Sequence, residues 1–317
     1  MRIAVVGAGA VGCLFGARLA ASGASVVMIG RAESVAALGR DGVTVEGRQP
    51  GRWSVEARTA LDPRAPPDLV LLTVKTFDLP GAAAALGAAL RSPVPVLLPQ
   101  NGLHVERPVI QALAGAGWDR PGTILVRAVN SIPATLVRPG VVRQPGDGEL
   151  VVADPSGGGP SADAAQRLIE ALRSAGLPVR TVADLGPELW RKALVNAAIN
   201  PVTALNRIPN GRLGESPYRE EARALLREAQ RAARLAGFPF SDDEADRSLD
   251  RVVRATADNR SSMLQDVERG RPTEIDAISG EILRTAEAHG VDLPATRAVL
   301  RRLSGRPGTA PSPAQPS

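Results

Sequence analysis

The spacing of apolar and polar positions changes character along the chain. Ile3 to Val6 is a short, unbroken apolar run ended by glycine, the pattern of a strand covered on both faces. Similar runs recur at Ser25–Ile29, Leu69–Val74 and Val94–Leu98, with helical patterns at Cys13–Ala21 and, rich in alanine, at Gly81–Leu90. Strands alternating with helices predict an α/β fold with a doubly wound parallel sheet. Past residue 120 come shorter strand-like pieces at Thr123–Val126, Val141–Arg143 and Glu149–Val152. A loop at Asp154–Pro160, a helix at Ser161–Ser174 and a strand at Leu177–Val182 follow. From Pro187 onward helical spacing dominates: Glu188–Leu205, Tyr218–Ala236, Asp242–Leu264, Ile275–His289 and a last helix at Pro294–Leu303. The predicted organisation is an α/β domain over 1–183 and an all-α domain over 184–303. The stretch 304–317, rich in Pro, Ser, Gly and Ala with no large apolar residue, is expected to be disordered.

Composition narrows the possibilities. The 317 residues, 44% hydrophobic and 22% charged, suffice for two cores. An aromatic content of 3% argues against recognition of nucleic acid by base stacking. One cysteine, Cys13, excludes an intrachain disulfide, and two histidines, His104 and His289, make no zinc cluster, so no metal site is expected. The net charge of +5 comes from bases interleaved with acids, as from Glu220 to Arg234, which reads as a solvated helix face and not a nucleic-acid surface. No run is long enough to span a membrane. The apolar first thirty residues are broken by Gly7, Gly9, Gly12 and Arg18, so they read as a folded start and the expected compartment is the cytoplasm. Monomer and homodimer both stay open.

Gly7-Ala8-Gly9-Ala10-Val11-Gly12 stands directly after the first apolar strand and opens a helix. In that context a GxGxxG is a dinucleotide-binding turn of the Rossmann-like kind. The first glycine permits the turn, the second lets backbone approach a pyrophosphate, and the third lets helix and strand pack closely. The helix N-terminus offers free N–H groups to the phosphates. NAD-binding sites of this type carry an acid at the end of the second strand, but here that strand ends Ile29-Gly30-Arg31. Arg31 suits a 2′-phosphate and so favours NADP(H), with Glu33 close by and simple solvation as the other reading. Lys75 and Asn101 follow apolar strands and so stand at the sheet edge where ligands bind, although Asn101-Gly102 is also a common turn pair.

Only two lysines occur, Lys75 and Lys192, in a chain that uses arginine for nearly every other positive charge. Arginine stays protonated whereas lysine can give up a proton, so a surviving lysine marks a place where proton transfer matters or is a chance survivor. Lys192, Asn196 and Asn200 are spaced i, i+4, i+8, forming one helical stripe about 12 Å long. Asparagine disfavours a helix interior. The stripe therefore reads either as a polar contact between helices or as a ligand-facing surface with a proton donor at one end.

The chain resembles the ketopantoate reductase (2-dehydropantoate 2-reductase) family over nearly its whole length. The matching pieces are GAGAVG at 7–12, V-K-T at 74–76, QNG at 100–102 and LWRKALVNAAINPVTAL at 189–205. P-N-G at 209–211, SSMLQD at 261–266 and T-E-I-D at 273–276 complete the set. The resemblance implies a Rossmann-like domain plus a helical domain, and NADPH-dependent reduction of 2-dehydropantoate to (R)-pantoate in pantothenate biosynthesis. It implies Lys192 as the catalytic lysine, Glu274 beside the reacting centre and cofactor, and Asn196, Asn200, Asn210 and Ser262 as substrate-binding residues. It also implies Lys75 and Asn101 as cofactor contacts, with Asn101 near the substrate, and a backbone contact at Ala128. Arg127-Ala-Val-Asn-Ser131 departs from the family pattern there. Two rivals follow: a same-fold D-2-hydroxyacid dehydrogenase acting on another 2-keto acid, and a non-catalytic dinucleotide-binding regulator.

Overall fold

A computed structural model describes residues 1–90, 92–118, 125–155 and 160–304. The chain forms two compact units. One comprises Met1–Gln100 and Val105–Leu185; the other comprises Asn101–His104 and the residues from Gly186 onward.

The first unit runs β1 (Arg2–Val6), α1 (Ala10–Ala21), β2 (Ser25–Ile29), α2 (Ala32–Asp41), β3 (Val43–Gly47), β4 (Gly51–Trp53) and β5 (Glu56–Arg58). It continues through β6 (Leu69–Leu72), α3 (Leu79–Ala89), β7 (Val96–Leu98), α4 (Glu106–Gly115) and β8 (Leu125–Asn130). Then come β9 (Thr135–Arg138), β10 (Val141–Gln144), β11 (Leu150–Ala153), α5 (Pro160–Ser174) and β12 (Val179–Val182). Eight strands form the main sheet in the order β12-β11-β8-β7-β6-β1-β2-β5. It is parallel from β8 to β5, and β11 runs antiparallel to β8. The strand order reverses between β1 and β6, which opens a crevice at the carboxyl ends of those two strands.

The central strands β1, β2, β6 and β7 are almost wholly apolar because both faces are covered. Ile3, Val5, Met28, Leu71 and Leu97 pack with Leu14 and Phe15 of α1 and Leu168 and Leu172 of α5. The alternate residues Ala4, Val6, Val27, Ile29, Val70 and Leu72 pack with Leu79 and Leu86 of α3 and Val109 and Leu113 of α4. Each such side chain contributes about 1.5–3 kcal/mol by leaving water. A second sheet, β4-β3-β10-β9, adds Val43, Val45 and Val142 to the α1 side of the core. Arg18, 5% exposed on α1, holds this sheet in place. It donates to the Gln49 and Arg48 carbonyls at 2.8 and 2.7 Å and to Gln144 Oε1 at 2.8 Å.

The helical unit contains α6 (Gly186–Asn206), α7 (Tyr218–Leu235), α8 (Asp242–Ala255), α9 (Ser262–Glu268), α10 (Glu281–Glu287) and α11 (Pro294–Ser304). Its core joins Trp190, Leu194, Val202, Leu225, Leu226, Leu249 and Ile282 with Leu103 from the short separate segment. Buried Glu228 of α7 accepts the Ala295 and Thr296 N–H groups at 2.9 and 2.7 Å, supplying a carboxylate to the start of α11.

Several predicted boundaries change. The single helix expected over Asp242–Leu264 is two, parted after Thr256, whose hydroxyl donates to Val252 O at 2.7 Å and accepts from Asn210 Nδ2 at 2.9 Å. The Ala257 and Asn259 carbonyls are then used by the Gly211 and Asn210 N–H groups, both at 2.9 Å. The helix expected from Ile275 begins instead as a π turn over Asp276–Gly280. The strand expected at Thr123–Val126 is β8, Leu125–Asn130, and residues 123–124 lie outside the described residues. Residues 156–159 of the expected loop and 305–317 of the expected disordered tail also lie outside them, while Ser304 closes α11.

Candidate functional site

The glycine turn is shaped by backbone contacts. Gly7 sits at φ +117°, and a Cβ there would lie 2.6 Å from Val74 N. Its own N–H donates to Ile29 O at 2.8 Å. A Cβ on Gly12 would lie 1.8 Å from Gly7 O. Gly9 is different: it caps α1, and a Cβ there would meet nothing within 4 Å. The first turn of α1 carries no acid and its cap makes no side-chain hydrogen bond. Half-buried Ala8, Ala10 and Val11 complete the turn. A closed base, an open Gly9 and an uncapped helix start fit a pyrophosphate, so these residues suit a dinucleotide. Cys13, buried in the first turn of α1, has its thiol pushed up to about 12 by burial.

The neighbouring strand end is fastened to this turn. Thr73 Oγ1 donates toward Gly7 O at 2.8 Å and Val6 O at 3.1 Å. Buried Gln100 donates through Nε2 to the Leu72 carbonyl and to the Val74 carbonyl, the latter at 3.1 Å. Half-buried Lys75 follows directly and opens a 3-10 turn over Thr76–Asp78. Arg31 is the residue before the first turn of α2, and its exposed guanidinium lies 3.6 Å from an Asp78 carboxylate oxygen. Ala128 is fully buried in β8 opposite Val152, and its carbonyl accepts from Arg127 Nη1 at 3.2 Å.

Asn101 groups with the helical unit although it follows β7. The Leu103 N–H donates to Ala277 O of the π turn at 3.0 Å. Gly102, at φ +104°, allows the close approach, since a Cβ would lie 2.5 Å from that same oxygen. In the helical unit α6 carries the predicted stripe. Lys192 and Asn196 are half-buried and Asn200 is 5% exposed. The side-chain amides of Asn196 and Asn200 have no hydrogen-bond partner among the described residues, so the stripe is not a polar contact between helices within the unit. Pro201 lacks an N–H and so leaves the Ala197 carbonyl outside the helical ladder.

The other predicted residues gather around the C-terminal half of α6. Thr203 Oγ1 meets Ser261 Oγ at 2.7 Å, and Ser261 caps α9 by accepting Leu264 N–H at 3.1 Å. Ser262, the next residue, is exposed. Met263 and Ile275, the neighbours of Ser262 and Glu274, pack together with Ala204 of α6. Glu274 itself is 8% exposed. Asn210 is buried, donates to Thr256 Oγ1 at 2.9 Å and leaves Oδ1 without a partner. The sequence reading missed Thr73, Asp78, Gln100, Thr203 and Ser261. A hydroxyl inside or beside an apolar segment was the available signal for Thr73 and Thr203, and consecutive serines after Asn259-Arg260 were the signal for a helix cap at Ser261.

A Rossmann-type turn on one unit and a lysine–asparagine stripe on a helical unit define a nicotinamide-dependent oxidoreductase. The family profile described as ketopantoate reductase PanE/ApbA matches residues 3–157, and its C-terminal counterpart matches residues 184–306. The chain belongs to the ketopantoate reductase family. It is 32% identical to the 2-dehydropantoate 2-reductase of Archaeoglobus fulgidus over 305 residues, 96% of this chain and 97% of that one. It is 32% identical to that of Halobacterium salinarum, covering 97% and 100%. Among solved structures, a PanE/ApbA family ketopantoate reductase from Ralstonia eutropha is 32% identical with a TM-score of 0.82, covering 96% and 97%. A D-mandelate dehydrogenase solved with NADH and anilino(oxo)acetate shares the fold at 24% identity, with a TM-score of 0.85 and coverage of 96% and 97%. Among the described residues, no helix is long and apolar enough to cross a membrane.

Proposed function

We propose that the protein reduces 2-dehydropantoate to (R)-pantoate with NADPH, the domain over 1–183 holding the cofactor and that over 184–303 the substrate. The observation that carries this reading is the pair of unpartnered amides on the Lys192 stripe. These amides make no hydrogen bond to a described residue and are not sealed from solvent, so they stay open to a ligand, and a carboxylate and hydroxyl of a small 2-keto acid can replace water on them. The turn Gly7–Gly12 holds the pyrophosphate, Arg31 the 2′-phosphate, and Lys75, Asn101 and the Ala128 backbone the remainder of the dinucleotide. When bound, the reduced nicotinamide supplies a hydride for the keto carbon. Negative charge then develops on the keto oxygen. Lys192, as ammonium, stabilises that oxygen and donates the proton that completes the alcohol. Glu274 orients the Lys192 ammonium and borders the cofactor. Asn196, Asn200, Asn210 and Ser262 fix the substrate carboxylate and hydroxyl.

A steady-state assay with 2-dehydropantoate and either NADPH or NADH tests the assignment. Lys192→Ala loses charge and proton together and is expected to lower kcat roughly 10²-fold or more. Wild-type turnover in Lys192→Ala overturns the assignment. The likeness to D-mandelate dehydrogenase motivates a second reading, in which an aromatic or other branched 2-keto acid is the substrate. A panel of such acids decides between the two by kcat/KM.

A further inference from the structure

We infer that Asp78 sets how strongly the enzyme prefers NADPH, by competing with the 2′-phosphate for Arg31; this rests on the reading of Arg31 as the phosphate ligand. The end of β2 carries no acid, and in the sequence around Arg31 the only acid is Glu33. The fold brings an acid from elsewhere. Asp78 ends the 3-10 turn that follows β6, with its N–H donating to Lys75 O at 2.9 Å. It also stands at the cap position of α3, where an aspartate ordinarily accepts N–H groups of the first turn, yet its carboxylate makes no cap hydrogen bond. The carboxylate instead lies 3.6 Å from the Arg31 guanidinium.

The pair is exposed, 88% at Arg31 and 44% at Asp78, so solvent weakens it and a dianionic phosphate can displace or share it. The nearby Arg58 is engaged differently, with Glu56 and Asp62 both on its guanidinium. Glu33, the other acid nearby, is exposed in the first turn of α2. A carboxylate beside Arg31 acts in two directions at once. It repels a 2′-phosphate, and it offers an acceptor to the ribose hydroxyls that NAD(H) has free. Asp78 is therefore a brake on NADPH preference, positioned by β6 rather than by β2.

The test measures NADP⁺ and NAD⁺ affinity by calorimetry on the full chain, for wild type, Asp78→Asn, Arg31→Ala and the double variant. Asp78→Asn keeps the shape and the cap position. It is expected to raise the NADP⁺-to-NAD⁺ affinity ratio roughly 2- to 5-fold at low salt and less at high salt. In the Arg31→Ala background the same change is expected to move the ratio less than it does in wild type, because the competition for the guanidinium is gone and only the direct effects on phosphate and ribose remain. An unchanged ratio in Asp78→Asn, alongside a clear loss of NADP⁺ affinity in Arg31→Ala, overturns the brake and leaves the Arg31 reading standing. Unchanged NADP⁺ affinity in Arg31→Ala overturns both.

Discussion

The glycine turn of the first unit and the α6 stripe of the second are built in opposite ways. The turn is made of backbone: Gly7 and Gly12 stand where a methyl group would strike main-chain atoms, Gly9 stands open, and the helix start is left bare. The stripe is made of side chains on a regular helix, and its amides are the part the surrounding protein leaves unbonded. The closed base of a backbone site tolerates almost no change of residue without a change of fold. A side-chain site can be emptied while the fold persists. Mutation at the closed base of the turn should therefore show in folding, and mutation on the stripe in ligand affinity.

The largest expected effect separates two glycines of the same turn. Gly12→Ala drives a Cβ into Gly7 O and is expected to cost about 3 kcal/mol or more, visible in chemical denaturation. Gly9→Ala meets no protein atom and should unfold like wild type while losing roughly tenfold or more in dinucleotide affinity. Equal destabilisation by the two would erase the distinction between the turn's closed base and its open top.

Next in size is the stripe. Asn200→Ala removes an amide that has no hydrogen-bond partner among the described residues and installs the best helix former. Stability should hold or rise by up to about 0.5 kcal/mol, while KM for the 2-keto acid climbs about 10-fold or more. A loss of stability near 2 kcal/mol with KM untouched would mean the amide serves the fold.

The smallest effect concerns Cys13. Its thiol is pushed up from an ordinary value near 9 to about 12 by burial. Because the folded value is the higher one, the associated stability is fully present below about pH 9 and is lost as pH rises through 12. At pH 8 iodoacetamide should label Cys13 only after denaturant is added, and labelling of the native protein at the rate of a free thiol would show that α1 opens readily.

What could be read from sequence follows the same division. The strand–glycine–helix start was legible because each glycine answers a local steric demand. The stripe was legible because 3.6-residue periodicity puts Lys192, Asn196 and Asn200 on one face. The small sheet was not read, apart from Val141–Arg143: strands such as Gly51–Trp53 and Thr135–Arg138 are short, half exposed and mixed in polarity. The end of α8 was hidden because Thr256 stops it through contacts with Asn210, 46 residues away. The Arg31–Asp78 pair was equally hidden, since parallel strand order, and not chain order, makes those residues neighbours.

The π turn has one more consequence. By accepting the Leu103 N–H through Ala277 O, it recruits four residues that are synthesised some eighty positions before the rest of the helical unit. That unit is thus no detachable cassette. A fragment beginning at Gly186 would carry a notch where Leu103 belongs, and recombination could not graft the helices onto another dinucleotide-binding scaffold unless the insert after β7 travelled with them.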